Sequence, residues 1–336
     1  MKHTKYDLQQ MQSLPLSAKI LMTQRRIKDW YSYFNGDVYV SFSGGKDSTV
    51  LLHIAREMYP DIEAVFVNTG LEYPEIQQFV KSFDNVTILR PQMRFDEVIK
   101  KYGYPIISKE VSECVSQGRK ALERGDGTYN YRLLKLQGKA LDKDGRPSLY
   151  NRKKYEPLLY TDFRCGSECC TIMKKNPAKQ YAKATGKKPI TAQMAEESHL
   201  RTQQWMRNGC NGFDMKAPIS NPMSFWTEQD VLQYILEYNI PIASVYGDII
   251  TDPETKLLKT TGCDRTGCIF CAFGCHMEKQ SRFKRLKTTH PKQYEYCIGG
   301  GEYDENGIWK PSSNGLGMGK VFDTLNEIYG KDFMKY

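Results

Sequence analysis

Residues 38–58 read VYVSFSGGKDSTVLLHIAREM, and the fold follows from this stretch. Val38 to Phe42 form a short apolar run of strand character. From Val50 onward, Leu51, Ile54, Ala55 and Met58 recur at helical spacing until Pro60 ends the pattern. The order is strand, glycine loop, helix. Adjacent Gly44 and Gly45 let backbone N–H groups close around an anion with no Cβ in the way. The helix adds its unpaired N–H groups and the positive end of its dipole. Lys46 brings a full charge, and Ser43 and Ser48 bring hydroxyls. The loop has neither the G-x-x-x-x-G-K spacing of a Walker loop nor the G-x-G-x-x-G of a dinucleotide fold.

The run Ser43-Gly44-Gly45-Lys46-Asp47-Ser48 resembles the PP-loop, S-G-G-x-D-S, of the ATP pyrophosphatase superfamily. The resemblance implies that these six residues hold the pyrophosphate or adenylyl phosphate of ATP or another adenylyl nucleotide. Lys46 then neutralises β/γ-phosphate charge. For Asp47 two roles stand, holding Mg²⁺ or capping the helix.

Outward from the loop, residues 15–34 read as a helix leading into the first strand. Ala64 to Val67 is a continuous apolar run typical of a parallel strand covered on both faces, and it ends in Asn68-Thr69-Gly70. Pro74 opens a helix to about Phe83, and Val86 to Leu89 is the next strand. Regular structure resumes at Pro189–Ala192. Thr227-Glu228-Gln229-Asp230 is a capping-box-like helix start, and a last helix lies near Val321 to Tyr329. Strands alternating with helices predict an α/β fold, an open parallel sheet of Rossmann-like, adenine-nucleotide-hydrolase type. Ligands of such sheets sit outside the carboxyl ends of the strands, where the glycine loop and Asn68, Thr69 and Gly70 both fall. The expected organisation is an N-terminal helical segment (1–35), a PP-loop domain (36–246) with a basic, partly helical insertion at about 112–160, and a Cys-rich helical segment (247–336).

The 336 residues carry a net charge of +9, unevenly placed. Residues 112–160 hold eleven Lys and Arg against six Asp and Glu. Residues 171–190 hold six Lys and no acid, and residues 279–293 hold six Lys and Arg and no acid. Such clustering points to an anionic partner, a nucleotide or a nucleic acid such as tRNA or DNA, or to solubility with one phosphate pocket. No apolar run is long enough to span a bilayer, so no membrane role is expected. The polar N-terminus lacks the apolar core of a secretory signal. Ten cysteines without a signal then read as reduced thiols and metal ligands in the cytoplasm.

Cys165, Cys169 and Cys170 precede by about a hundred residues the run Cys263, Cys268, Cys271 and Cys275. Two thiol pairs make a four-thiolate site for zinc or an iron–sulfur cluster, and spacing leaves both metals open. A local zinc knuckle of Cys263, Cys268, Cys271 and Cys275 is the other arrangement. Cys169-Cys170-Thr-Ile-Met-Lys-Lys-Asn-Pro, Thr191 to Arg201, Val65 to Glu72 and Gly267-Cys268-Ile-Phe-Cys271 together resemble the iron–sulfur branch of the phosphoadenosine/adenosine phosphosulfate reductase family. The similarity runs from about residue 36 to 275, outside the insertion. It implies that Cys169, Cys170, Cys268 and Cys271 ligate a [4Fe–4S] cluster. It also implies that Asn68 and Thr69 meet the adenosine, that Glu197 and Ser198 face the second half of the substrate, and that Arg201 clamps its phosphate or sulfate.

Two departures from that family shape the expected chemistry. The terminal Glu-Cys-Gly-x-His motif of sulfonucleotide reductases is absent, leaving Cys297 and Cys275, the latter beside His276, as candidate catalytic thiols. The glycine loop, usually degraded in those reductases, is intact and resembles that of superfamily members that cleave ATP between the α and β phosphates. The leading expectation is therefore an enzyme of sulfur chemistry that adenylylates a substrate, releases pyrophosphate and transfers sulfur to a nucleotide or nucleic acid, with a thiol or sulfur-donor protein as partner. The alternatives are an adenylyl-sulfate reductase and a non-catalytic nucleic-acid-binding protein. Trp205, Trp226 and Trp309 could stack bases but read rather as core or ordinary surface residues, and His53 reads as a packed core residue rather than a base.

Overall fold

The computed structural model describes residues 3–125 and 130–336. Residues 126–129 of the basic insertion expected at about 112–160 lie outside the described residues. The chain forms two compact units, Met1–Pro91 with Asn176–Gly267, and Gln92–Lys175 with Cys268–Tyr336.

The first unit is built on a six-stranded sheet. Its strands lie in the order Val86–Leu89, Ala64–Val67, Val38–Ser41, Lys188–Ile190, Ile219–Ser220, Asn211–Gly212. All neighbours run parallel except the last pair. This is the mixed α/β architecture with a mainly parallel sheet that the alternating pattern predicts. Val40, Ala64 and Ile190 are fully buried at its centre, as sheets covered on both faces require. Helix Lys46–Met58 follows the first strand and buries Val50, Leu51, Ile54 and Ala55 completely, the positions that recur at helical spacing. The helix expected over 15–34 spans Leu16–Tyr33, and the last predicted helix spans Met318–Tyr329. Thr227 caps helix Glu228–Glu237 in a reciprocal capping box with Asp230. Asp230 also takes the buried Lys19 ammonium at 2.6 Å, which ties helix Leu16–Tyr33 to that cap.

Chain order reverses at the central strand. Strand Val38–Ser41 has Ala64–Val67 on one side and Lys188–Ile190 on the other. The crevice of an open sheet forms at such a switch point, at the carboxyl ends of the strands. The glycine loop, Asn68–Gly70 and the segment after Ile190 all leave the sheet there. Gly44 has φ +70, and a Cβ on it would lie 2.8 Å from Ile76 Cγ2 and Val80 Cγ2. Both partners are buried in helix Pro74–Lys81, so they cannot yield.

The second unit is mostly helical. It contains Phe95–Tyr102, Lys109–Arg124, Tyr131–Gln137, Arg282–Thr289, Pro291–Ile298 and Met318–Tyr329. Ser108 and Asn130 cap two of these, and Gly125 and Gly138 end them in the left-handed conformation. A short parallel pairing joins Ile106–Ile107 to Ala272–Phe273. Three of the cations of 112–160 are paired within the unit: Lys135 and Arg152 with Glu110, and Arg132 with Glu113. Among the described residues no helix is long and apolar enough to cross a membrane.

Two outcomes test this account. Gly44→Ala places a left-handed alanine, a cost of about 1–2 kcal/mol, and adds the clash with Ile76 and Val80. Gly70 has a similar φ of +74 but open space around it, so Gly70→Ala should show only the backbone cost. Chemical denaturation should therefore rank Gly44→Ala well below Gly70→Ala in stability. Glu63 supplies the second test. Burial pushes its carboxyl up, but hydrogen bonds from Lys187, Thr87 and Tyr181 outweigh this and hold it below the ordinary carboxylate range. Its contribution is present above the unfolded pKa of about 4.3 and is lost as pH falls through the lower folded value. Glu63→Gln should lower the urea midpoint at pH 7 and flatten its fall below about pH 4.3.

Candidate functional site

The glycine loop is held by its own hydroxyls. Ser48 Oγ lies 3.0 Å from Ser43 Oγ, accepts from the Ser43 N–H at 3.1 Å and donates to the Gly45 carbonyl at 2.9 Å. Thr49 donates to the same carbonyl at 2.9 Å. These bonds fix the turn and leave the exposed Ser43 and the start of helix Lys46–Met58 at the crevice. Neither Gly45, which precedes the helix, nor Asp47 supplies a side-chain cap to it.

Four groups that the sequence reading missed surround this loop. Tyr246 places its hydroxyl 3.4 Å from the Lys46 N–H and 2.6 Å from Thr266 Oγ1, and the Lys46 ammonium lies 5.3 Å from its ring centroid. Glu228 Oε1 takes Lys46 Nζ at 3.0 Å. The backbone N–H of Glu228 in turn donates to Glu196 Oε1 at 2.6 Å. Arg265 acts electrostatically on Asp47, Arg201 and Glu196. Arg265 and Thr266 directly precede Gly267-Cys268, and Glu196 precedes Glu197, so both quoted motifs bordered these residues. Glu228 falls inside the capping-box-like helix start, which signals a helix and not a site, and no local signal marks Tyr246.

Desolvation pushes the Asp47 carboxyl above its ordinary value, against the pull of Lys46, with Glu228 raising it further and Arg265 and Arg201 lowering it. Desolvation lowers the Arg201 guanidinium, Arg265 adds to this, and Asp47 opposes it. Lys46, Asp47, Arg201 and Arg265 thus share one electrostatic environment at the carboxyl edge of the sheet. Arg201 is also paired with Glu197 one helical turn earlier. Ser198 caps helix His199–Asn208 by accepting from the Arg201 N–H. Thr69 is buried and donates through its hydroxyl to Glu72 Oε1 at 2.7 Å and through its N–H to Glu72 Oε2 at 3.0 Å. Asn68 Oδ1 accepts from the Gly70 N–H. His53 bonds Tyr234 through Nδ1, and Trp205 and Trp226 are buried, in keeping with core roles.

The second unit gathers the thiols. Cys169 and Cys170 share a hydrogen bond that raises the first and lowers the second, with Lys109 and Lys174 also favouring the Cys170 thiolate. Cys268 and Cys271 both act on Cys169 electrostatically. The Cys271 N–H returns to the Cys268 carbonyl at 3.1 Å, closing the turn, and Arg282 donates to the Cys271 carbonyl at 3.1 Å. Next to this cradle Ile107 has φ +61, a conformation that a β-branched side chain rarely adopts. It is held there by the pairing with Ala272–Phe273 and by the Gly274 N–H donating to its carbonyl. Strain of this kind collects at ligand clamps.

Among the described residues no three His, Cys, Asp or Glu side chains stand close enough to hold one metal ion. Lys109 and Lys174 act on Cys170, and Arg282 reaches the Cys271 carbonyl, so cations lie beside both thiol pairs. Cys263 belongs to the first unit, buried, with its carbonyl accepting from Thr260. Burial pushes the Cys275 thiol up to about 12, and it donates to the Cys271 carbonyl. Cys297 is wholly buried, donates to Met318 Sδ, and burial raises its thiol well above the usual range.

The family model described as the phosphoadenosine phosphosulfate reductase domain matches residues 37–138 and 129–274. A sulfate adenylyltransferase subunit 2 from Pseudoalteromonas translucida is 24% identical over 211 residues, covering 61% of this chain and 59% of its own length. The corresponding subunit from a Marinomonas species is 26% identical, covering 61% and 58%. An uncharacterized protein of Methanocaldococcus jannaschii is 37% identical over 98 residues, 27% of this chain and 23% of its own. The chain thus spans less than two thirds of the length of these curated relatives. A solved phosphoadenylyl-sulfate reductase from Candida auris, a phosphate complex, covers 76% of this chain and 98% of its own at 14% identity, with a TM-score of 0.37, too low to argue from. The family match alone extends over more than half of the sequence, and the chain belongs to the phosphoadenosine phosphosulfate reductase family.

Proposed function

We propose that this protein is an enzyme of sulfur metabolism that binds ATP or another adenylyl nucleotide at Ser43–Ser48 and activates a substrate by adenylylation. The observation that carries this reading is the convergence of Lys46, Asp47, Arg201 and Arg265 on an intact glycine loop. Lys46 and the helix N-terminus meet the phosphates, and Lys46 does so by exchanging Glu228 for the incoming anion. Asp47 is offered as a Mg²⁺ ligand, since a bound cation favours the ionised carboxylate that burial disfavours. Asn68, Thr69 and Gly70 take the adenosine side. Glu197, Ser198 and Arg201 take the substrate side, with Arg201 turning from Glu197 to a phosphate or sulfate oxygen.

In the proposed step a substrate oxygen attacks the α-phosphorus. The α–β bond breaks and pyrophosphate leaves with both electrons. A sulfur nucleophile from a thiol or sulfur-donor protein then displaces AMP, forming a C–S or P–S bond on a nucleotide or nucleic acid. The matched subunits of sulfate adenylyltransferase support the adenylyl half of this reading. Cys169, Cys170, Cys268 and Cys271 are proposed to hold a [4Fe–4S] cluster, which would supply a one-electron redox couple. The basic stretches 112–160, 171–190 and 279–293 are proposed as the nucleic-acid-facing surfaces, and cytoplasm as the compartment. The reductase alternative gains nothing from its two thiols, since Cys297 is buried against Met318 and Cys275 is held protonated at neutral pH.

Lys46→Ala should abolish ATP-dependent pyrophosphate release, measured with candidate nucleic acids and with sulfate, while the fold persists by circular dichroism. Unchanged turnover would remove Lys46 from the chemistry. Protein purified without oxygen should be brown and contain iron and sulfide. Cys170→Ser or Cys271→Ser should lose the colour, and Cys263→Ser should keep it. One zinc per chain, released by Cys263→Ser, would establish the local knuckle instead.

A further inference from the structure

Within the second unit, Lys101, Ser116, Arg119, Lys120, Glu123 and Arg164 line a cleft of about 60 Å³. At 10–15 Å³ per water-sized body, this is room for about four to six, the scale of one tetrahedral ion. Four full positive charges face one carboxylate, and Ser116 adds a hydroxyl. The cleft floor is uncharged at neutral pH, because burial pushes the Cys165 thiol up to about 12.

The walls are rigid. Arg119 Nη2 donates to the Leu158 carbonyl at 2.8 Å, the Thr161 carbonyl at 2.6 Å and Thr161 Oγ1 at 2.7 Å. That fixes the guanidinium, yet its Nε–H is buried with no acceptor among the described residues. A buried donor left unpaired is costly unless something outside the chain answers it. The opposite wall is equally fixed. The Tyr104 N–H donates to the Arg164 carbonyl at 2.7 Å, and the Gly166 N–H donates to the Tyr104 carbonyl at 3.0 Å. Gly103, at φ +100, lets the two backbones meet, since a Cβ there would lie 2.5 Å from the Arg164 carbonyl. On helix Lys109–Arg124, Ser116, Arg119, Lys120 and Glu123 share one face by their three- and four-residue spacing.

Among the nearby carboxylates, Asp304 acts on Arg164 electrostatically without an ion pair among the described residues, and Asp162 and Glu123 act on Arg119 in the same way. Asp162 takes Lys320 and the Tyr303 hydroxyl, and Asp304 accepts from the backbone of Asn306 and Ile308. Lys101, Lys120 and Arg164 are exposed and form no ion pair among the described residues. Three exposed cations around one anchored guanidinium attract a multiply charged oxyanion.

We propose that this cleft is a second anion site, built for a tetrahedral phosphate or sulfate group and separate in its residues from the glycine loop. The group is either a free oxyanion or a phosphate of a nucleic acid backbone. The test uses the full chain carrying Lys46→Ala, which weakens phosphate binding at the glycine loop. Inorganic phosphate is titrated by calorimetry at low ionic strength. The double substitution Lys120→Ala with Arg164→Ala, both exposed, should weaken binding at least about tenfold with an unchanged melting temperature. Glu123→Gln, which removes the rim carboxylate, should tighten it. A short oligothymidylate that displaces the phosphate assigns the group to nucleic acid, and one that leaves it bound assigns a free oxyanion. Either result upholds the site. Absence of phosphate binding, or binding that ignores both sets of substitutions, overturns it.

Discussion

The first unit depends on how closely the backbone at Gly44 approaches helix Pro74–Lys81. With only 2.8 Å between a would-be Cβ and the Ile76 and Val80 methyls, the loop lies directly on that helix. No other residue type fits there without moving two fully buried side chains. This contact fixes the height of the loop above the sheet. The Ser43–Ser48 hydroxyl bonds then fix its shape, and the start of helix Lys46–Met58 comes to the mouth of the crevice. Every other element of the site is placed against that fixed edge. Tyr246 and Thr266 reach it from one segment, Glu228 from the capped start of a helix, and Arg201 and Glu196 from the segment after the fourth strand of the sheet.

Charge in this crevice is balanced internally. Lys46 is answered by Glu228, Arg201 by Glu197, and Arg265 by Asp47 and Glu196. Removing a lone cation from water is expensive, and a pocket lined by cations alone would destabilise the fold around it. Pairing with carboxylates orients the buried Lys46 ammonium and the half-buried Arg201 guanidinium. The same logic explains the raised Asp47 carboxyl, which is buried beside both signs of charge.

In the second unit the constraint is backbone strain. Ile107 sits at a positive φ because pairing with Ala272–Phe273 and the bond from the Gly274 N–H hold it there. That pairing anchors the residues immediately after Cys271, while Ser108 starts the helix that carries Lys109 toward Cys170. Ile107 therefore joins, through the backbone, the segment just after Cys271 to the start of the helix that carries Lys109. The aliphatic and aromatic core of the unit, with Phe163, Phe283 and Phe322 fully buried, supplies the packing that sustains the strain.

The sequence by itself determined the strand–loop–helix unit, the parallel α/β sheet and the family, because these rest on local signals. Hydrophobic periodicity, paired glycines, the Thr227 capping box and the cysteine spacing all act within a few residues. It also made Lys46, Asp47 and Arg201 readable as a group, through motifs that carry their own context. Only the tertiary structure decided what those residues face. Tyr246, Glu228 and Arg265 reach the loop across about 180 to 220 residues of chain, and no periodicity encodes such a contact. Burial likewise set Cys297 against Met318, whereas its sequence neighbours gave no sign of it. The division of the cysteines between two units was also invisible to spacing, since Cys263 and Cys268 are five residues apart yet belong to different units. Local physics writes elements into sequence; which side chains converge, and which charges lose their water, depends on how those elements pack.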